Sequence, residues 1–392
     1  MSANRRNCVQ SVIENDILSN NLDATNGITS YLSLQNKDVE LIYNYFDVVP
    51  DGNLYTKIGS PIFVVRLKSK GLEILANYYK KKYDVNIKIL KYLIKYTNRN
   101  TIYSSDISKL ITIHNLAKKI NFTKLNNNQQ SGVIISLLNN EKRLMHGMSI
   151  VYGKKNNGKK FVIFGDPYYE YQNNIDEQSS VLVLAKYFNK NFNDIDIYCQ
   201  NLHIQADHHC CAVVSTDFVK NCLINNGKIL KEMIDKSDTI IFLASNINDT
   251  YANVIANNRN VNDISTLTDL FIIHKYYLHS EFLKLSHLNS TICSDDSMNR
   301  YDKIVSKNNI DLKEYVQNNN INCLYYKEPH PYNPNDYYLR KINDMILKQV
   351  NATLIKKAHK YAKIIMEETK FNNIEYSPNY WLELIKKHKI NK

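Results

Sequence analysis

The amino-acid sequence predicts an α+β fold, in which a small mixed sheet is flanked by helices. Two short apolar runs rich in strand-forming residues, at 149–152 and 161–164, flank Asn157-Gly158, a strong signal for a β-hairpin turn. Further downstream, apolar residues recur at helical spacing: Val214, Phe218 and Cys222. Strands and helices that follow one another in this way are typical of a layered mixed fold.

Other segments extend this pattern on both sides of the hairpin. Helical spacing is present in five stretches, which are residues 38–49, 71–98, 106–119, 177–191 and 342–365. Strand-like apolar runs occupy residues 195–198 and 238–245. We therefore expect helical N- and C-terminal regions around the central sheet.

We expect the chain to comprise three regions. Residues 1–40 are polar and rich in Asn and Ser, which favours a flexible leader that could carry a secretion signal. Residues 41–290 hold the predicted sheet and form the expected core. The Pro-rich stretch 328–336 marks a boundary within residues 291–392, a basic and mainly helical extension. From residue 340 to the end, 12 Lys and Arg face 5 Asp and Glu.

Charge and cysteine usage limit the function classes. The net charge of +12 suits phosphate-rich ligands, although a solvated surface is the simpler interpretation. Seven cysteines, odd in number and without a CxxC pair, indicate neither a disulfide framework nor a common zinc motif. No apolar run approaches 18 residues, and the first residues lack the apolar core of a secretory signal, so we expect no integral membrane segment, and export from a cell would require a dedicated secretion system.

Three chemical groups in one stretch suggest nucleophilic catalysis: His146, Asp166 and Cys211. Cys211 opens the predicted helix, with Asp207 as a candidate cap, and there the helix dipole and free amides stabilise a thiolate. A base oriented by an acid activates such a thiol. Gln205, six residues before Cys211, is a candidate donor to an oxyanion.

The hairpin turn determines how the imidazole meets the carboxylate. A tight turn at Asn157-Gly158 pairs Asp166 with Ser149, three residues from His146. A loop centred on Asn156 instead places His146 and Asp166 directly opposite each other. Both registers put the two side chains at the open end of one hairpin.

The order His, acidic residue, Gln and Cys resembles the ubiquitin-like-protease clan of cysteine enzymes, and within it the YopJ family of bacterial effector acetyltransferases. The matching positions are His146, the Gly158-Lys159 turn, Asp166-Pro167 and Gln205 through Cys211-Ala212. Residues 81–92 and 277–290 also resemble family segments. Ala212 replaces the family's Gly and Cys210 its acidic or polar residue, and Gly147 stands where the clan's proteases have Trp.

This resemblance implies a cysteine-protease-like catalytic core within residues 41–290 and a Cys-His-Asp triad, with Gln205 assisting. It implies acetyl transfer from acetyl-coenzyme A through a cysteine thioester to Ser, Thr or Lys of host signalling proteins, with inositol hexakisphosphate as allosteric activator. Lys284 matches the family's auto-acetylated lysine. The implied location is the host cell cytoplasm, after secretion by the bacterium, where the enzyme would interfere with host signalling.

Alternatives remain open at this stage. The same triad serves a deubiquitinase or deSUMOylase of the clan, and an inactive effector could keep the fold only to bind host proteins. Histidines and cysteines at 203–211 lack the ligand spacing of a zinc site, so no metal is expected. The basic tail has no aromatic-interleaved motif, so no nucleic-acid partner is expected.

Overall fold

The computed structural model describes residues 44–56, 61–93, 116–139, 144–167, 180–200, 204–205, 209–243, 270–287, 297–306, 308–325 and 346–369. Within these ranges the chain forms one seven-stranded and one four-stranded sheet, with helices packed against them. The predicted α+β fold with a mixed sheet flanked by helices is confirmed, whereas the second sheet was not predicted. Among the described helices, none has the length and apolarity required to cross a membrane.

Eleven strands make up the two sheets. In chain order they are β1 (Phe46–Thr56), β2 (Pro61–Leu67), β3 (Ile87–Leu93), β4 (Gln130–Leu138), β5 (Leu144–Lys154), β6 (Lys160–Gly165), β7 (Ile195–Gln200), β8 (Asp238–Leu243), β9 (Leu270–Tyr276), β10 (Asn320–Tyr325) and β11 (Ile346–Asn351). The larger sheet has the order β3-β4-β5-β6-β7-β9-β8, and the smaller has the order β11-β10-β1-β2.

Nine α-helices lie among the described residues. They are α1 (Ser69–Tyr83), α2 (Leu116–Lys119), α3 (Ser180–Asn191), α4 (Cys211–Leu223), α5 (Lys228–Asp235), α6 (Ser280–Leu283), α7 (Ser297–Arg300), α8 (Leu312–Asn318) and α9 (Thr353–Glu368). Of the predicted elements, the helix at 177–191 and the strands at 195–198 and 238–245 are confirmed as α3, β7 and β8 over the described residues.

The central strands of the larger sheet are buried on both faces. Successive residues alternate between two hydrophobic clusters: Ile134, Val151 and Ile163 pack on the side of α4, and Val133, Ile150 and Val162 on the side of α3. Strands β4, β5 and β6 run antiparallel, while β3 pairs with β4 and β6 with β7 in parallel. Burial on both faces explains why these strands are almost continuously apolar.

The hairpin of β5 and β6 has a register that neither sequence alternative predicted. Ser149 pairs with Gly165, and the pairing continues to Lys154 opposite Lys160. A five-residue loop closes the hairpin, in which Gly158 has a φ of +80° and its N–H donates to the carbonyl of Lys155 at 2.9 Å. Both predicted turns were therefore wrong in register, because the loop is longer than a two-residue turn and is not centred on Asn156.

Three predicted helices are wrong in part. Within 38–49, the residues from Phe46 onward belong to β1, because tertiary pairing overrides a weak helical pattern. The helix predicted at 71–98 ends with α1, since Asp84 adopts a left-handed conformation (φ 54°), and β3 follows. Likewise, the stretch 342–365 divides into β11 and α9, with Ala352 at the junction.

The smaller sheet joins the two ends of the described chain. β1 pairs with β10, which pairs with β11, and α9 packs on α1, α4 and β2. Buried residues from 46–67 and from 312–366 belong to the same hydrophobic core as α4. The predicted boundary at residue 290 remains a prediction, and the described parts on its two sides share one core. The leader 1–40 and the Pro-rich stretch 328–336 lie outside the described residues.

Candidate active site

The nucleophile candidate opens a helix that rests on the strand carrying the histidine. Cys211 is the first residue of α4, with Cys210 at the N-cap position, whereas the cap candidate Asp207 lies outside the described residues. A Cβ added to Gly147 would lie 3.0 Å from Ala212 Cα and 3.1 Å from Ala212 N. The backbones of β5 and α4 therefore touch at the residue after His146, and only glycine permits this approach.

The three predicted groups meet at this contact. His146 Nε2 lies 2.8 Å from Asp166 Oδ1, and the thiol of Cys211 is near enough to the imidazole to raise its pKa. The side chain of Asp166, one residue beyond β6, is 3% exposed, and that of His146 is 13% exposed. The imidazole thus has a carboxylate on one side and a thiol on the other, which is the arrangement that nucleophilic catalysis by cysteine requires.

Electrostatics at the site favour a charged imidazole. Burial of the ring opposes protonation, but Asp166 and the Cys211 thiol outweigh that effect and raise the pKa of His146 to about 10. An imidazolium at neutral pH stabilises a neighbouring thiolate. The first turn of α4 contributes in the same direction, because its backbone amides and the helix dipole favour negative charge at the N-terminus.

Two adjacent thiols compete for the nucleophile role in the sequence, and the structure separates them. Cys210 and Cys211 are both buried, with 0% and 4% exposure. The thiol that interacts with the His146 ring and raises its pKa is that of Cys211. The spacing from Gln205 had favoured the same residue.

The structure places Gln205 beside the acid of the site. Its side chain is buried, and its backbone N–H donates to the carbonyl of Pro167, the residue after Asp166, at 3.3 Å. The preceding carbonyl, of Ile204, accepts from the backbone N–H of His287 at 3.0 Å. The Gln205 segment is thus held between the acid's loop and the residues that follow α6.

Lys284, the auto-acetylation candidate, lies directly after α6. Its ammonium group pairs with Glu281 and lies 5.8 Å from the centroid of the Tyr315 ring, and its side chain is 17% exposed. Its backbone carbonyl accepts a hydrogen bond from the side chain of Asn351 at 2.6 Å. Acetylation of Lys284 remains a prediction.

Two groups on α4 were missed by sequence reasoning. The hydroxyl of Ser215 donates to the carbonyl of Gly147 at 2.9 Å. Its position four residues after Cys211 is the sequence signal that could have identified it, because side chains at i and i+4 share one face of a helix. Asp217, completely buried, binds two ammonium groups, those of Lys220 at 2.8 Å and Lys357 at 2.9 Å.

Comparisons with known proteins found similarity among solved structures alone. No protein-family model matches the chain, and no curated protein matches it at a significant level. A structure of AvrA delL154 with IP6 and CoA is 12% identical, with a TM-score of 0.41, and covers 88% of this chain and 99% of that chain.

Two structures of HopZ1a are similar to a comparable degree. The one in complex with IP6 and CoA is 9% identical with a TM-score of 0.42, and the one in complex with IP6 is 10% identical with a TM-score of 0.43. Each covers 77% of this chain and 85% of its own. These solved structures similar to the chain are YopJ-family effectors, the family that the chain's own motif resembles.

Proposed function

We propose that this chain is an effector acetyltransferase that transfers acetyl groups from acetyl-coenzyme A through a thioester on Cys211. The observation that carries the proposal is the contact of three side chains at the start of α4. His146 binds Asp166 on one side and the Cys211 thiol on the other. This geometry fits acyl transfer by a covalent cysteine mechanism, and the motif around it resembles a family of acetyltransferases.

The first half-reaction forms the thioester. The Cys211 thiolate attacks the carbonyl carbon of acetyl-coenzyme A, and a new C–S bond forms as the carbonyl oxygen becomes an oxyanion. Amides in the first turn of α4, with Gln205, stabilise this oxyanion. Collapse of the intermediate breaks the bond to the coenzyme thiol, which leaves with the proton of the His146 imidazolium.

The second half-reaction passes the acetyl group to a protein. Neutral His146 removes a proton from the hydroxyl or amine of a Ser, Thr or Lys side chain, which attacks the thioester carbonyl. Cys211 leaves as a thiolate, and the His146 imidazolium is restored beside it. Asp166 holds the ring in the orientation that serves both steps, and the kinetics expected are ping-pong.

The substrates and activator follow from the resemblance and from charge. We propose acetyl-coenzyme A as donor, host signalling proteins as acceptors, inositol hexakisphosphate as activator and the host cytoplasm as the place of action. A chain with a net charge of +12 suits two polyanionic ligands. The neighbouring structures of AvrA and HopZ1a hold IP6 and CoA.

The main alternative is an isopeptidase of the same clan, because a triad of this kind also cleaves amide bonds when water is the second nucleophile. Where the clan's proteases carry Trp after the histidine, this chain has Gly147. A side chain there would meet the backbone of Ala212. That close contact favours the transferase over a protease of the usual pattern.

Radiolabelled acetyl-coenzyme A tests the proposal directly. Purified protein is incubated with the label, with and without inositol hexakisphosphate, and thioester label is separated from amide and ester label by its release with hydroxylamine at neutral pH. We expect thioester label that increases with the inositol phosphate. Absence of label under every condition, together with reaction of Cys211 with a ubiquitin or SUMO suicide probe, would contradict the proposed acetyltransferase and support the isopeptidase.

Replacement of Gly147 by alanine is expected to slow thioester formation about tenfold. The added Cβ meets backbone atoms at 3.0 to 3.1 Å, so β5 and α4 must separate by a few tenths of an ångström, and catalytic rates fall steeply with such displacements. Pre-steady-state labelling measures the rate.

Gly158→Ala is the matched control for this change. It introduces the same methyl group at a hairpin residue with a φ of +80°, where the added Cβ makes only an ordinary contact of 3.5 Å with Asn127 Oδ1, so it costs about 1 kcal/mol of stability with no loss of rate. Equal rates for the two variants would contradict the close contact at Gly147.

A further inference from the structure

Helix α4 presents two side chains to β5, one turn apart. Cys211 and Ser215 are four residues apart and therefore lie on one face of the helix. The thiol of Cys211 meets the side chain of His146, and the hydroxyl of Ser215 donates to the backbone carbonyl of Gly147, the next residue, at 2.9 Å. Ser215 is 0% exposed, so this hydrogen bond is shielded from water.

At this point β5 is paired with a neighbouring strand on one edge only. Pairing between β5 and β6 begins at Ser149 opposite Gly165, so His146 and Gly147 lie beyond the end of that ladder. On the other edge, β4 pairs with this stretch, with Ser136 opposite Gly147. Gly147 itself has no side chain through which packing could fix its position on the helix.

From these contacts we infer that Ser215 is a positioning residue for the proposed acetyl transfer. Its hydroxyl holds the backbone of β5 against α4 in the register at which His146 reaches Cys211. The inference deepens the proposed function and rests on it for the chemical step. Ser215 affects the reaction indirectly. Its hydrogen bond is made to the backbone next to His146 and to no triad side chain, so it acts by fixing the position of the imidazole.

The neighbouring residue offers a matched control. Thr216 is 1% exposed, and its hydroxyl donates to the carbonyl of Ala212 at 2.7 Å, within α4 itself. Ser215→Ala and Thr216→Val each remove one buried hydroxyl from the same helix. Ser215→Ala removes a hydrogen bond between α4 and β5, whereas Thr216→Val removes a hydrogen bond within α4.

The test measures the pH dependence of Cys211 alkylation by iodoacetamide, located by peptide mass spectrometry, on the full-length protein. The interaction with His146 links the reactivity of the Cys211 thiol to the position of the imidazole. In Ser215→Ala we expect the midpoint of the alkylation profile to rise by about one pH unit, the size expected for a lost hydrogen bond. Thioester formation should be roughly ten- to a hundredfold slower. Thr216→Val should match the wild type in both measurements.

A wild-type alkylation midpoint in folded Ser215→Ala would overturn the inference. If circular dichroism shows that this variant is unfolded, Ser215→Cys is used instead, because a thiol is a weaker donor of nearly the same shape. An unshifted alkylation midpoint in Ser215→Cys would also overturn the inference. Alkylation requires no acetyl-coenzyme A. Absence of thioester in the wild type would therefore disprove the proposed function, while the alkylation profile still decides the role of Ser215.

Discussion

Replacing Cys211 by alanine is expected to abolish acetyl-thioester formation, with a loss of at least about a thousandfold, since the proposed mechanism passes the acetyl group through this thiol. The thiol of Cys211 interacts with His146, and Cys211 is the first residue of α4, whose first-turn amides are proposed to stabilise the oxyanion. Removal of one sulfur atom leaves α4 intact, so the loss should appear without unfolding. Labelling with radioactive acetyl-coenzyme A, followed by thermal denaturation of the same sample, measures both quantities.

Cys210→Ala is the control that distinguishes the two adjacent thiols. Cys210 is 0% exposed and directly precedes the nucleophile, so its removal creates a similar small cavity, which costs about 1 kcal/mol. The variant should retain its thioester label. Label that persists in Cys211→Ala and disappears in Cys210→Ala would reverse the assignment of the two thiols.

Replacing Asp217 by alanine is expected to lower the free energy of unfolding by about 3–5 kcal/mol, the usual cost of removing one partner from a buried ion pair. The carboxylate lies inside the protein and binds Lys220 on its own helix and Lys357 on α9. It also accepts hydrogen bonds from the Tyr361 hydroxyl and the Asn221 amide, each at 2.9 Å. Without the carboxylate, two ammonium groups lose their shared partner. Urea titration at pH 7 measures the change.

Lys357→Met serves as the control for this network of Asp217, Lys220, Asn221, Lys357 and Tyr361. It retains most of the side-chain volume and leaves Asp217 paired with Lys220, so a smaller loss of about 1–2 kcal/mol is expected. A smaller decrease in the free energy of unfolding for Asp217→Ala than for Lys357→Met would contradict the central position of the carboxylate in this network.

The destabilisation of Asp217→Ala should itself depend on pH. Burial opposes ionisation of the carboxyl, but Lys220 and Lys357 outweigh burial and hold the pKa of Asp217 well below its usual range. A depressed pKa contributes stability that is present above the unfolded value of about 3.9 and is lost as the pH falls through the folded value. The difference between wild type and Asp217→Ala should therefore be largest near neutral pH and decrease below about pH 4. A difference that is constant from pH 7 to pH 3 would exclude the charge as its origin.

The strongest local patterns predicted the central fold correctly. The hairpin and the helix of Cys211 have short-range signals, a turn dipeptide and a repeat of apolar residues at helical spacing, and both elements are observed as β5–β6 and α4. Residues 46–49 and 346–351 have helical patterns and form strands instead. Each gains its structure from a partner strand outside the local repeat: residues 46–49 pair with residues 64–67 of β2, and β11 pairs with β10. Local spacing contains no information about such partners.

The same limit separates the predicted and missed parts of the site. His146, Asp166 and Cys211 were selected because their chemical types follow one another in a family-like order. The structure brings them into contact, and their catalytic roles remain proposals. Ser215 carries no distinctive chemistry in a sequence, and its significance arises from the crossing of α4 over Gly147, which is a feature of tertiary packing.

The pairing of β1 with β10 has a consequence for the order of folding. Residues near position 54 find their partners near position 325, and α9, which contacts the helix of Cys211, is later still. Closing so long a loop lowers the chain entropy before the contacts across it can stabilise the fold, so folding of this kind is slow and cooperative. A ribosome must synthesise the chain to about residue 361 before Tyr361 can reach Asp217. The helix of Cys211 therefore acquires its full set of contacts only after α9 has been synthesised.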